Sequence, residues 1–401
     1  MSGVSVLVPA DVRFPLERAN GIQVVKTAAA LARAGARTTL LVRASDPRPT
    51  DEVLALYGLR PHPCLEVRRL AVGHRTGAHA LPRAVFLARA AAAALHGLRR
   101  GAAVFTRDLQ LAEMLVRLPV FARGAVVYEA HAVEALMYGE RGALYGTGEI
   151  PRPRKARRLA RRERTVWRGA RGFVATTSGI RDAFAAAHGP RPAATRVIPN
   201  GCDVPEDRGF PGLAATGGPP RVLYAGQLYP WKGVDVLVEA MAEVPGARLV
   251  ILGGLAGEPD LLRIRSLVRA RGLEDRVEMP GTVAPARVAD ELKRAAAVAV
   301  PFLETAMTAA HTSPLKAFEA MAAGRPIVAS DLPSSREVLR HGENALLVPP
   351  GSASALAAAL RTLLADPDLA RRLAGQGWAD APAYSWDARG RRIKELIEEV
   401  R

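Results

Sequence analysis

An α/β protein of two similarly wound domains is predicted by three observations: a length of 401 residues, a recurring alternation of strand and helix patterns, and a Pro- and Gly-rich break near mid-chain. A chain this long exceeds a typical single core and divides most naturally into domains of about 200 residues. Short apolar runs separated by helical stretches predict mostly parallel sheets. Residues 205–220, PEDRGFPGLAATGGPP, are dense in turn formers and lack periodicity, which marks a linker or long loop.

Residues 4–9 (VSVLVP) read as a buried strand, 21–34 (GIQVVKTAAALARA) as a helix ended by Gly35, and 37–42 (RTTLLV) as the next strand. Further apolar runs at 103–105, 124–128, 171–175 and 195–198 continue the first domain. After the break, strands are predicted at 221–225, 247–252, 276–279, 297–300, 327–330 and 345–348, each followed by a helical pattern. Open sheets of this kind bind ligands at the carboxyl ends of their strands, so the cleft between the domains is the expected active site.

Composition narrows the function classes. Cys64 and Cys202 fall in different domains with no metal-ligand spacing, so no disulfide framework, zinc site or redox chemistry is expected. No segment reaches the roughly 18 apolar residues of a membrane span, and the start, MSGVSVLVPADVRFP, lacks a basic leader, so a cytoplasmic protein is expected. The formal net charge of +17 favours acidic partners. Few aromatics and no RNP, C2H2 or basic-zipper pattern argue against nucleic acid.

The stretch HTSPLKAFEAMAAGRPIVASDLP, residues 311–333, sets two charges into an apolar helix-then-strand pattern. Ser313 and Pro314 read as N-cap and first helical residue, and Gly324 and Pro326 end the helix. The free amides of Leu315 and Lys316 then lie at a positive helix terminus suited to phosphate. Lys316 in the first turn opposes the helix dipole by roughly 0.3–1 kcal/mol unless an anion is present. Glu319 shares that face, one turn along, where the ribose of a bound nucleotide would fall. The plainer alternative is a Lys316–Glu319 helix pair. In VLYAGQLYPWKGVDVLVEA, residues 222–240, a strand ends at Gly226 and Lys232-Gly233 opens a helix. The spacing is not a Walker A loop, yet a lysine at the carboxyl end of a strand suits phosphate as well as solvent.

With these motifs the chain resembles the family-4 glycosyltransferases, in particular those carrying a TSPLK-x-x-E segment. The resemblance rests on Gly-x-x-x-x-x-Lys-Gly at 226–233, LVILGG at 249–254, PGTV at 280–283, SPLKAFEAMAAGRPIVASDLP, and a closing helix introduced by YSW at 384–386. It implies a GT-B fold: two Rossmann-like domains, 1–204 on the acceptor side and 205–383 on the donor side, facing a central cleft, with 384–401 packing back toward the first. It also implies retaining transfer of a sugar from a nucleoside diphosphate to an acceptor hydroxyl, with no tightly bound cofactor and no metal held by the fold. UDP-sugars are expected ahead of GDP-sugars. Carried across by position, Lys232 and the amides of Leu315 and Lys316 would hold the diphosphate, with Gly226, Gln227, Thr312 and Ser313 around it. Glu319 would meet the ribose and Gly281 would lie beside the base. Asn20 and Gly21, in ERANGIQ, would approach the diphosphate or acceptor, and His131, in VVYEAH, would face the transferred sugar; without the family, a lone histidine after a strand reads as structural. Two positions depart from the pattern: His311 stands where a glutamate is usual, and Gln227 where an arginine often is.

The acceptor is expected to be a glycan, a lipid-linked molecule or a small molecule. Residues 152–171 hold ten basic residues against one acidic, with Leu159, Glu163, Val166, Trp167 and Ala170 on one helical face. That reads as a packing helix with a solvated basic face, or as a contact with anionic lipid at the inner membrane surface. The competing functions are a sugar-nucleotide epimerase or phosphorylase of the same fold and a binding protein without catalysis. A dinucleotide oxidoreductase is disfavoured because LVPADVRFP replaces a Gly-x-Gly-x-x-Gly turn.

Overall fold

The computed structural model describes residues 3–15, 19–72, 80–118, 124–191, 193–207, 209–213 and 217–401. Met1 and Ser2 of the opening run, Glu17 and Arg18 of ERANGIQ, and Arg208 and 214–216 of the Pro- and Gly-rich passage lie outside the described residues. The chain forms two units. The first comprises Met1–Tyr138, Arg152–Asn200 and Trp386–Arg401, and the second Gly139–Pro151 and Gly201–Ser385.

Both units are doubly wound α/β sheets with parallel strands, as predicted. In the first, β1 (Ser5–Phe14), β2 (Arg37–Ala44), β3 (Leu65–Leu70), β4 (Ala103–Thr106), β5 (Val126–Ala130), β6 (Gly172–Ala175) and β7 (Ala194–Val197) are ordered β3-β2-β1-β4-β5-β6-β7. The order reverses between β1 and β4, the place where ligands of such sheets enter. The sequence pattern does not reveal β3, because LEVRRL is an edge strand whose charged residues disguise it; edge strands carry such charges to avoid further pairing. β1 extends beyond the predicted residues 4–9. The strand runs past Pro9 with a shift of register before Arg13, and there Asp11 takes ion pairs from Arg43 and from Arg83, the latter at 2.7 Å.

The last helix, Trp386–Val400, buries Ile393, Leu396 and Ile397 in the core of the first unit together with Val6, Val8, Val25 and Leu31. It crosses the helix Ala19–Arg33 where Gly390 meets Ala30: a Cβ on Gly390 would stand 2.6 Å from the Ala30 carbonyl. In the basic helix Pro153–Gly169, Glu163, Val166 and Trp167 are buried, and the Trp167 indole donates to the Gly189 carbonyl at 2.9 Å.

In the second unit, β8 (Arg221–Ala225), β9 (Arg248–Leu252), β10 (Val277–Gly281), β11 (Ala297–Val300), β12 (Ile327–Ser330) and β13 (Leu346–Val348) are ordered β10-β9-β8-β11-β12-β13. Alternate residues serve two cores. Val222, Tyr224, Leu249 and Ile251 face one layer, whereas Leu223, Ala225, Val250 and Leu252 face the other. Strands covered on both faces read as unbroken apolar runs, which is why RVLYA and LVIL stand out in the sequence.

Candidate functional site

In the second unit the carboxyl ends of β8, β9 and β10 carry a shelf of glycines. The Gly226 amide donates to Leu252 O at 2.8 Å, Gly253 to Gly281 O at 2.9 Å, and Thr282 to Gly254 O at 3.1 Å. A Cβ on Gly253, where φ is 141°, would lie 1.8 Å from the Gly226 carbonyl. The backbones therefore touch with no side chain between them, and the shelf presents peptide edges. Gln227 is tied in through its carbonyl, which accepts from the Tyr224 hydroxyl at 2.6 Å.

The loop after β8 closes in a turn of 3-10 helix, Pro230–Lys232, and the α-helix Val234–Ala242 begins beyond Gly233. Lys232 thus ends a tight turn instead of opening the helix, a correction to the sequence reading. Gly233 is left-handed, with φ 67°, and a Cβ there would lie 1.8 Å from the Pro301 carbonyl. The Leu303 amide donates to Trp231 O at 3.0 Å, which joins this loop to the one after β11. Lys232 Nζ sits 4.1 Å from the centre of the Trp231 ring and 4.4 Å from that of Phe302. Among the described residues no carboxylate pairs with it. Burial, and after it the charge of Lys316, lower its pKa to about 7.

The helix Ala306–Ala310 is capped by Thr305, in a reciprocal box with Thr308, and ends at His311. His311 is buried, its Nδ1 meets no hydrogen-bond partner, and burial lowers its pKa. Thr312 Oγ1 donates to Met307 O at 3.3 Å. The next helix, Leu315–Ala322, has Pro314 at its N-cap and no side-chain cap, so Ser313 is not the capping residue expected from sequence. The ring of Pro314 fixes the entry instead, and the first-turn amides of Leu315 and Lys316 have no carbonyl within the helix to meet. Lys316 Nζ and Glu319 Oε2 stand 2.7 Å apart, both partly buried, so the two charges form the helix pair.

In the first unit the helix Ala19–Arg33 starts before Asn20, which places Asn20 and Gly21 in its first turn and not in a loop ahead of it. Gly21 is buried and Asn20 exposed. His131 follows β5. Its Nε2 lies 3.1 Å from Glu129 Oε2 but out of line for a hydrogen bond. Burial, and secondarily Arg107, hold the imidazole well below the usual histidine range. Downstream, Glu163 Oε1 accepts from the Ala135 amide at 3.3 Å and pins the start of the helix Glu134–Leu144.

Three residues missed in the sequence complete this cluster. Gln23 Nε2 donates to Glu129 Oε2 at 3.1 Å, and Arg107 donates to Gln23 Oε1 at 2.9 Å. Arg389, on the last helix, pairs with Glu129 Oε1 and donates to Ile198 O at 2.8 Å and to Thr27 Oγ1 at 3.2 Å. A signal existed for Arg389: it shares the apolar stripe of Trp386, Ile393 and Leu396, and an arginine on a buried face requires an acidic partner. Among the described residues no group of three or more His, Cys, Asp or Glu could hold a metal.

Comparison with known proteins follows this division. Residues 21–201 match the glycosyl transferase 4-like domain, and residues 219–366 match glycosyl transferases group 1. Together these two glycosyltransferase models span most of the chain, and its fold is GT-B. This GT-B chain is 33% identical over 294 residues to the D-inositol 3-phosphate glycosyltransferase of Kineococcus radiotolerans, across 65% of each protein. It is 34% identical to the phosphatidyl-myo-inositol mannosyltransferase of Mycobacterium leprae, across 51% of the chain and 53% of that protein. The chain thus spans less than two thirds of these relatives. Among solved GT-B structures, sucrose-phosphate synthase from Thermosynechococcus elongatus superposes with a TM-score of 0.74 over 99% of both chains, at 24% identity. Anabaena HepE in complex with UDP gives 0.72 at 18% identity, over 99% of this chain and 100% of that one.

Proposed function

We propose that the protein moves a sugar from a nucleoside diphosphate to an acceptor hydroxyl with retention of configuration. The observation that carries the reading is Lys232: an ammonium without an acidic partner among the described residues, placed beside a second lysine at the carboxyl ends of the strands. Two neighbouring cations repel and lose solvation until an anion arrives, and a diphosphate supplies charge for both. Lys232, Lys316 and the amides of Leu315 and Lys316 take the diphosphate, with Gly226, Gln227, His311, Thr312 and Ser313 around it. Glu319, exchanging its hold on Lys316 for the ribose, and Gly281, beside the base, fix the nucleoside. His131 faces the transferred sugar and Asn20 and Gly21 approach the diphosphate or acceptor.

In the reaction the bond between the anomeric carbon and the diphosphate oxygen breaks while the acceptor oxygen bonds to that carbon from the same face. The acceptor proton passes to a phosphate oxygen. The lysines and amides stabilise the charge that develops on the leaving group, which needs no protein nucleophile and no metal from this fold.

The donor is proposed to be a UDP-sugar ahead of a GDP-sugar, and a thermal-shift panel of UDP, GDP, ADP and dTDP tests it. UDP at about 100 times its dissociation constant adds about 2.7 kcal/mol, a rise of roughly 5–11 °C for domains of this size. A flat panel would leave a binding protein of other specificity as the better reading.

We also propose that a glycan, lipid-linked or small-molecule acceptor is met at an anionic surface. Arg154, Arg157, Arg158, Arg161 and Arg164 of the helix Pro153–Gly169 are exposed and have no acidic partner among the described residues. Among the described residues no helix is long and apolar enough to cross a membrane. Each arginine near anionic lipid contributes about 1 kcal/mol, so co-sedimentation with anionic vesicles is expected, lost in high salt. Equal binding to neutral vesicles would remove the lipid surface from the reading.

A further inference from the structure

We propose that Arg389 and Gln23 are positioning residues: together they hold the Glu129 carboxylate out of hydrogen-bonding line with His131 and keep the imidazole from becoming its ion-pair partner. The inference rests on the reading that His131 faces the transferred sugar. Glu129 is 2% exposed and lies within 3.1 Å of the imidazole. A buried carboxylate at that distance ordinarily draws a histidine into an imidazolium–carboxylate pair.

Here each carboxylate oxygen has another donor. Oε1 is taken by the Arg389 guanidinium, itself 2% exposed and held by Thr27 Oγ1 and by the carbonyls of Ile198 and Pro199. Oε2 accepts from Gln23 Nε2, and the amide cannot turn round because its own oxygen accepts from Arg107. Four segments distant in sequence therefore fix one carboxylate. The titratable and charged groups around His131 are Glu129 on β5 and Arg107 after β4, with Arg389 behind Glu129 and with Glu134 and Asp108 acting near Arg107. Burial and Arg107 both favour neutral imidazole. Removing the Arg389 guanidinium leaves Glu129 Oε1 without that partner, and the carboxylate is then free to turn toward His131 Nε2, 3.1 Å from Oε2, and pair with it. Charge matters at this position because glycosyl transfer builds positive charge on the sugar, which an imidazolium would oppose.

Histidine-labelled protein followed by NMR, with the His131 signal assigned through His131→Asn, tests this directly. In the unaltered protein His131 is expected to stay neutral to the acid limit of folding. In Arg389→Met and in Gln23→Leu its midpoint rises by roughly 1 to 3 pH units, and Glu129→Gln added to Arg389→Met restores the low value. The acid limb of the kcat profile moves with the NMR midpoint, with little change in KM for the nucleotide sugar. If Arg389→Met fails to fold, Gln23→Leu decides, because it removes no charge. An unmoved His131 midpoint in a folded variant overturns the inference, and with His131→Asn inactive it overturns this inference alone. A raised midpoint with His131→Asn fully active would instead uphold the positioning and remove His131 from the reaction.

Discussion

Lys232→Met is expected to lower kcat/KM by about 10²–10³ while raising the melting temperature. The loss has the size found when one preorganised donor to a developing negative charge is removed. The gain follows from the free protein, where the ammonium lies against the rings of Trp231 and Phe302 with no anion to pair with among the described residues. A folded pKa of about 7, below the usual lysine value, means that the unfolded chain binds the proton more tightly. The cost to folding is complete below pH 7 and fades as pH rises toward the ordinary lysine range, so the stabilisation by Met is largest at and below neutrality. The same titration governs the ligand. On the proposed reading a diphosphate meets the ammonium form, so UDP affinity is expected to fall by up to about tenfold per pH unit above pH 7. Calorimetric titration of UDP at several pH values checks this, with Lys232→Met abolishing the slope. A flat pH profile in the unaltered protein would show that Lys232 does not meet the diphosphate.

Gly233→Ala is expected to destabilise the protein by roughly 2–5 kcal/mol and to weaken donor binding together with stability. Two costs combine: a left-handed backbone at φ 67°, and a Cβ placed 1.8 Å from the Pro301 carbonyl. Relief of that clash must part the loops after β8 and β11, which displaces Lys232 from Phe302. Gly246→Ala separates the costs, because Gly246 also has a left-handed backbone, at φ 80°, with nothing within 4 Å of its Cβ. It should lose only about 1–2 kcal/mol and leave UDP affinity unchanged. Urea unfolding with parallel UDP titrations measures both, and equal losses in the two variants would show that the close approach at Pro301 carries no weight.

The parts legible in sequence are those whose environment is uniform. RVLYA, AVAV and IVAS are strands in the structure over the residues predicted, because strands buried on both faces are apolar along most of their length. Lys232, Lys316 and Glu319 could be picked out for the converse reason, as charges that interrupt such a pattern. What failed depended on local backbone detail or on distant contacts. Pro314 displaces Ser313 from the cap, and the left-handed Gly233 ends the 3-10 turn on Lys232. Gln23 and Arg389 gain their meaning only by meeting at Glu129, and residues so far apart in sequence leave no periodic trace of that meeting.

The return of the last helix to the first unit sets an order on biosynthesis. While the chain emerges from the ribosome, strands β1 to β7 are complete long before residues 386–400 exist, and the whole second unit is made in between. Until then the nascent first unit lacks the cover supplied by Ile393, Leu396 and Ile397, and Glu129 awaits its guanidinium. A half-made chain thus offers an apolar groove to chaperones. Both the groove and the buried carboxylate are closed only once residues 386–400 have been translated.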